Sequence, residues 1–266
     1  MDEFNVRLFY HLEGLRAFHH KELCESLASV KGVAIKANDW CRIVDFQYSD
    51  HPLSAKGSVI KGGRFNIGNN LDGDVFSPFP ALYIAEDEDT AEIEKFGAKK
   101  SSTGLESYEV ALVKKGSYSK LDLNFELGNI FDLTNAANLN DFVDIISKFK
   151  MPAELVELAK RVGLKPPLLV RDAEGLKATL ITHTWQYSPS QFGIPANSQI
   201  FGRILKEAGF EGVLYPSSKK ASRKCVAIFT ENLDGSDSFI ELANPAPSSI
   251  KIIRLDSKNW KAATDD

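Results

Sequence analysis

Three short stretches of the chain gather residue types able to handle an anionic or polarised substrate. The first is Lys61-Gly62-Gly63-Arg64-Phe65-Asn66-Ile67-Gly68. Paired glycines allow unusual backbone angles and close approach of a ligand, and they present Arg64 beside them. A guanidinium is a rigid fork of donors suited to phosphate or carboxylate; a tight turn with a solvated arginine is the alternative. The glycine spacing and the lack of a Lys-Ser/Thr ending exclude a dinucleotide fingerprint and a P-loop. The second stretch runs from Tyr83 to Phe96. Glu86, Asp87, Glu88 and Asp89 read as a solvated cap on a helix start, with Asp89 and Glu92 at capping-box spacing. Glu94 differs, because it shares a helix face with Ala91 and Ala98. If the alanines face the protein body, Glu94 is drawn inward, either as a functional carboxylate or as half of a buried ion pair. The third stretch, Gly209 to Lys219, brings a strand to Pro216 and presents Ser217 and Ser218 at its tip. Loop tips often carry function, while an ordinary strand exit with serine as turn former is the plain reading.

Other groups offer less. His19, His20, Glu22 and Cys24 lack any usual zinc spacing and lie on an accessory-looking helix, so no metal is expected. His183 has no nucleophile motif around it, and neither a Gly-x-Ser-x-Gly elbow nor a Cys-His pairing is present. Lys219-Lys220 with Arg223-Lys224 reads as a solvated basic surface.

The elements that must position these residues follow from periodicity. Residues 4–30 are predicted helical from Leu8, Leu12, Leu15, Phe18, Leu23 and Leu27, closing at Lys31-Gly32. Strands are predicted over 39–46, 81–85, 108–114, 130–133, 212–215, 224–230 and 249–255, with a polar loop over 47–70. Helices are predicted after residue 86 and over 140–149, 153–162 and 198–208, the last stopped by Gly209. The tail from Asp256 to Asp266 is polar and expected to fray. Strands and helices mix without a strict βαβ rhythm, which favours α+β over a doubly wound sheet.

Composition sets the outer bounds. The 266 residues are 43% hydrophobic and 26% charged, with net charge -4, an ordinary globular balance. No basic surface announces nucleic-acid binding. Cys24, Cys41 and Cys225 are widely spaced and odd in number, which suits a reducing compartment. No secretory signal pattern and no apolar run of roughly 18 residues is seen, so a cytoplasmic protein without membrane contact is the expectation.

Taken in order, the three stretches resemble the RES domain family, named for an arginine, a glutamate and a serine on separate motifs. Its Gly-Gly-Arg-aromatic-Asn motif is matched by Gly62-Gly63-Arg64-Phe65-Asn66. Its strand-closing tyrosine, with a glutamate eleven positions on, is matched by Tyr83 and Glu94. Its Gly-x-x-Tyr-Pro-Ser motif, followed by a basic residue and an apolar strand, is matched by Gly212-Val213-Leu214-Tyr215-Pro216-Ser217, then Lys219, then Cys225 to Phe229. Trp40-Cys41-Arg42-Ile43 resembles the family's start, and Pro52-Leu53-Ser54 with Gly57 its next loop. The likeness runs from about residue 38 to 232 and is thin between 100 and 190. The chain departs from compact members by a longer loop at Asn69 to Pro80 and by extra length over 135–195.

The resemblance implies an α+β, ADP-ribosyltransferase-like RES fold with a mixed β core and flanking helices. It implies a catalytic domain over 38–256, with 1–37 as a helical extension, 135–195 as an enlarged helical insertion and 257–266 as a flexible tail. It also implies chemistry on NAD+ as substrate, without a metal. Catalytic roles fall on Arg64, Tyr83, Glu94 and Ser217, and substrate binding on Arg42, Gly63, Asn66 and Lys219. The reaction expected is cleavage of the nicotinamide–ribose bond by a glycohydrolase or phosphorylase acting as a toxin. Transfer of ADP-ribose to a protein, or a non-catalytic nucleotide-binding module, stays open. The partner implied is an antitoxin carrying a Xre-like helix-turn-helix, and a homodimer is compatible with the sequence.

Overall fold

Alternation of side chains along short strands decides which residues reach the site. The structure, a computed structural model, describes residues 2–97, 118–165, 168–185 and 193–265. Helices α1 (Asp2–Phe18) and α2 (His20–Ala28) lead into β1 (Val33–Asp45), α3 (Lys56–Lys61), β2 (Leu82–Ala85) and α4 (Glu88–Phe96). Then come β3 (Tyr118–Asp132), α5 (Asn140–Ile146), α6 (Ala153–Arg161), α7 (Ala173–Leu180) and α8 (Asn197–Glu207). Strands β4 (Gly212–Pro216), β5 (Lys224–Ile228), β6 (Phe239–Leu242) and β7 (Arg254–Asp256) complete the sheet.

The sheet is mixed, in the order β1-β2-β5-β4-β3-β6-β7, and β1 also pairs with β3. Strands β1, β2, β5, β4 and β3 therefore close into a ring, while β6 and β7 extend from it. Among the described residues, only β3 and β4 run parallel. One edge of β3 is taken by β1; the other is shared by β6 at 123–126 and β4 at 130–132. Buried Glu211 sits at that change of partner. Its Oε2 accepts the N–H groups of Gly128 at 2.8 Å and Asn129 at 3.1 Å, and Ser238 Oγ donates to the same carboxylate at 2.8 Å. Buried backbone donors are paired in this way because leaving them dry is costly.

Period-two alternation splits the core between the two faces of the sheet. Leu82, Ile84, Leu214, Val226 and Ile228 pack with Leu123, Phe125 and Leu127 on one face. Ala85, Val213, Tyr215, Cys225 and Ala227 pack on the other, against α2, α5 and α8, with Tyr83 partly buried beside them. A small third cluster joins α1 to α6 through Phe4, Leu8, Leu155 and Leu158. The mixed sheet with flanking helices is the α+β class expected from the sequence.

Several expectations are corrected. The first strand starts at Val33 rather than residue 39, and a bulge between Ala37 and Trp40 holds Asp39 at φ 57°. Bulges displace one residue from the ladder and hide alternation from a sequence reading. The cap of α4 is Asp87 and not Asp89: its Oδ1 accepts the Thr90 N–H at 2.7 Å, while Glu92 pairs with Lys120. The 249–255 strand shortens to Arg254–Asp256, β6 appears where the sequence predicts no regular element, and α7 is a helix within 135–195 that periodicity does not mark. The tail does not fray. Trp260–Ala263 forms a 3-10 turn, Ala263 is fully buried, and its carbonyl accepts the Ala55 N–H at 2.7 Å. The long loop at 69–80 packs inward through Leu71, Phe76 and Phe79. The strand predicted over 108–114 lies outside the described residues, as does Ala98. Among the described residues, no helix is long and apolar enough to cross a membrane.

Candidate active site

The Gly62–Asn66 turn is fixed from two sides. Gly62 takes φ 69°, in the left-handed region that glycine tolerates, and the Gly63 N–H donates to the Asn66 carbonyl at 3.1 Å. A Cβ on Gly63 would lie 2.3 Å from the Tyr83 hydroxyl, so no larger residue fits there. Strand β2 supplies Tyr83, whose hydroxyl accepts the Phe65 N–H at 2.9 Å and donates to Asn66 Oδ1 at 2.8 Å. Helix α8 supplies Gln199, which donates to the Asn66 carbonyl at 3.0 Å, and Gly202, where a Cβ would come within 2.0 Å of the Phe65 carbonyl.

That scaffold aims Arg64 into a pocket of acceptors. Its Nη1 donates to the carbonyls of Thr182 at 2.6 Å and Leu180 at 3.4 Å, and its Nη2 donates to Ser218 Oγ at 2.8 Å. The guanidinium carbon stands 5.9 Å from the centre of the Trp185 ring, within cation–π range. Only 6% of Arg64 is exposed, so its charge acts where water screens it poorly.

Glu94 lies in the last turn of α4. Its Oε1 accepts Ser217 Oγ at 2.5 Å and Ser218 Oγ at 3.4 Å. Ser217 Oγ in turn accepts the backbone N–H groups of Lys219 at 3.3 Å and Lys220 at 3.0 Å. Lys219 Nζ donates to the carbonyls of Ile93 at 3.0 Å and Glu94 at 3.1 Å, which answers the negative end of α4. Ser218 thus stands between the arginine and the glutamate, bonded to both.

These groups border a cavity of about 840 Å³ whose walls include Arg42, Gly63, Arg64, Tyr83, Glu94 and Lys219, with His183 and Trp185. That volume falls in the range of about 300–1,000 Å³ usual for ligand sites. Arg42 donates to the Ser54 carbonyl at 2.6 Å, while its Nε is buried with no partner among the described residues. Burial lowers Arg42 to about 10, which leaves it cationic at neutral pH. Burial raises Tyr83 well above the ordinary phenol value, so its hydroxyl stays protonated. Cys41 and Cys225 also reach the cavity. Burial, with Asp122 and Glu88 adding to it, lifts Cys41 to about 11, and burial with Glu94 raises Cys225 further. Neither thiol is a nucleophile at neutral pH.

Six of the eight residues singled out from sequence line this cavity; Asn66 and Ser217 do not contact it directly. The ligand contact expected of Asn66 is corrected: the residue is 0% exposed, and its amide nitrogen donates to the Ser58 and Phe79 carbonyls at 2.9 and 2.8 Å. Ser217, 1% exposed, is spent on Glu94 and the backbone. Both position other residues. The sequence reading missed Ser218 as the link between Arg64 and Glu94, and the Leu180 and Thr182 carbonyls as the cradle of Arg64. Ser218 had a signal as the neighbour of Ser217; backbone carbonyls have none.

The RES domain profile matches residues 39–246, well over half of the chain. The chain belongs to the RES domain family. This RES domain takes all the cavity residues named above from the matched span, whereas α1 and α2 precede it. No curated protein matches the chain. Among solved structures, this RES protein is similar to a chain of the M.tuberculosis MbcT-MbcA toxin-antitoxin complex. The two share 13% identity at a TM-score of 0.44, over 90% of this chain and 95% of the other.

Proposed function

We propose that this RES domain is an NAD+-consuming enzyme that cleaves the nicotinamide–ribose bond, with water or inorganic phosphate as acceptor, and that it acts as a toxin. The observation that carries the reading is a Glu94 carboxylate on the cavity wall, bonded to Ser217 at 2.5 Å and one hydroxyl away from buried Arg64. When the C–N bond breaks, nicotinamide leaves with the bonding electrons and the ribose develops oxocarbenium charge. A fixed carboxylate beside the sugar stabilises that charge in the transition state. Ser217 and Ser218 hold Glu94 in orientation, so little reorganisation is needed as charge develops. Arg64, with Arg42 also on the cavity wall, supplies positive charge for the diphosphate. The ring of Tyr83 forms wall against nicotinamide or ribose, its hydroxyl being held in the Arg64 turn. Water attacking the sugar carbon loses a proton to give ADP-ribose, and phosphate attacking it gives ADP-ribose 1″-phosphate.

The test is incubation of purified protein with NAD+, with and without phosphate, and assay of free nicotinamide. Release is expected, and Glu94→Gln lowers it by about 10²–10³-fold, the scale of losing one preorganised electrostatic group. Expression of the wild type depletes the host NAD+ pool and arrests growth, and Arg64→Ala relieves both. The partner fitting such a toxin is an antitoxin with a Xre-like helix-turn-helix, expected to suppress the depletion when coexpressed. No nicotinamide release, with Glu94→Gln behaving as wild type, overturns the enzyme reading in favour of a nucleotide-binding module. Label transferred from NAD+ to protein instead makes the activity ADP-ribosyl transfer.

A further inference from the structure

The N-terminal helices lie outside the family match, yet α2 is tied to the matched domain. Leu23 and Leu27 of α2 are fully buried in the main core, packed beside α8. At the end of this contact three different donor groups meet. His20 and Cys24, one helical turn apart on α2, face Glu207, the last residue of α8. The His20 Nε2 lies 2.7 Å from Glu207 Oε2, Cys24 Sγ lies 3.6 Å from His20 Nε2, and Cys24 Sγ donates to Glu207 Oε2 at 3.8 Å.

We infer that His20 Nε2, Cys24 Sγ and Glu207 Oε2 form a three-ligand site for a zinc ion that staples α2 to α8. Zinc bonds of about 2.0–2.3 Å in tetrahedral geometry set nitrogen–sulfur and sulfur–oxygen separations of about 3.6 Å and a nitrogen–oxygen separation of about 3.4 Å. The two sulfur distances, 3.6 and 3.8 Å, lie close to that separation. The third, 2.7 Å, is an ion-pair contact that lengthens by about 0.7 Å as the metal enters between the two groups. One imidazole, one thiolate and one carboxylate suit zinc, whereas magnesium and calcium take oxygen ligands throughout. Binding takes His20 as neutral imidazole with its hydrogen on Nδ1, and releases the Cys24 thiol proton to solvent. The His20 and Glu207 side chains are 39% and 40% exposed, so an ion has access and a water can fill the fourth position. Arg203, the nearby cation on α8, is paired with Glu13 at 3.6 Å. The same helix carries Gln199 and Gly202 against the Arg64 turn, so the staple would fix the N-terminal extension to the element that backs the active site. This site is independent of the NAD+ reaction.

The test uses the full chain, stripped of metal and titrated with cobalt(II), then zinc. The expected result is one equivalent of cobalt bound with a thiolate-to-cobalt charge-transfer band, displaced by zinc, and a zinc-dependent rise in melting temperature. Cys24→Ser abolishes the band although Cys41 and Cys225 remain, and His20→Ala and Glu207→Gln weaken binding by at least about tenfold. Melting of the metal-free variants checks their folding; if Cys24→Ser does not fold, His20→Ala gives the reading. Absence of the band in wild type, or its survival in Cys24→Ser or undiminished strength in His20→Ala, overturns the proposal and leaves a His20–Glu207 ion pair beside a thiol.

Discussion

Tyr83 and Glu94 have contrasting jobs at the scale of single residues. The Tyr83 hydroxyl closes the Arg64 turn by accepting the Phe65 N–H and donating to Asn66. Tyr83→Phe keeps the ring but strands a buried donor and a buried acceptor, at a cost of about 1–3 kcal/mol. Urea unfolding is expected to show that loss. Nicotinamide release should fall with it, because the turn that aims Arg64 loosens. Glutamine keeps an Oε1 acceptor for the Ser217 and Ser218 hydroxyls, so Glu94→Gln should leave the unfolding midpoint almost unchanged while removing most of the activity. A matched pair of unfolding and activity curves separates the two roles.

Among the elements, α4 depends most visibly on its ends. Asp87 caps the N-terminus through the Thr90 N–H and pairs with Arg223 at 3.0 Å, while Lys219 covers carbonyls at the C-terminus. Burial pushes the Asp87 carboxyl up, but the Thr90 hydrogen bonds and the Lys220 and Arg223 charges outweigh it and hold the pKa below the ordinary 3.8. A lowered carboxylate pKa contributes stability that is complete above the ordinary value and is lost as the pH falls through the folded value. Asp87→Ala should therefore cost about 1 kcal/mol at neutral pH, the usual worth of such a cap. The difference from wild type should shrink in acid, below pH 3.8. Chemical denaturation at several pH values checks this. Shared contacts couple α4 to the third motif, so the variant should also disturb Glu94 through Lys219 and Lys220.

For the whole molecule, the ring of strands depends on β3 changing partner from β6 to β4. Glu211 bridges that gap, receiving Gly128, Asn129 and Ser238. Glu211→Ala leaves the Asn129 N–H and the Ser238 hydroxyl without their acceptor in the interior, while the Gly128 N–H keeps Ser238 Oγ at 2.9 Å, with an expected loss of about 2–4 kcal/mol. Thermal unfolding should show it as a lowered midpoint, with activity per folded molecule retained, since Glu211 lies away from the cavity walls. The C-terminal turn acts at the same scale, because the Ala263 carbonyl anchors Ala55 at the start of α3, which leads into the Gly62 turn.

The sequence by itself determined the three motifs, the α+β class and the residues that reach the cavity: Arg64, Tyr83, Glu94, Lys219, Arg42 and Gly63. These are local facts, since glycine pairs, strand alternation and helix faces are written in neighbouring positions. Tertiary structure alone decided what those residues touch. Asn66 and Ser217 became supports because neighbouring chain segments use all of their polar atoms. The carbonyls that hold Arg64 come from 116 and 118 positions away, and backbone acceptors leave no mark on side-chain pattern. Glu207 meets Cys24 across 183 positions, so no spacing rule read along α2 could find the cluster. Long-range contact is set by how helices and strands pack, and packing is a property of the assembled fold.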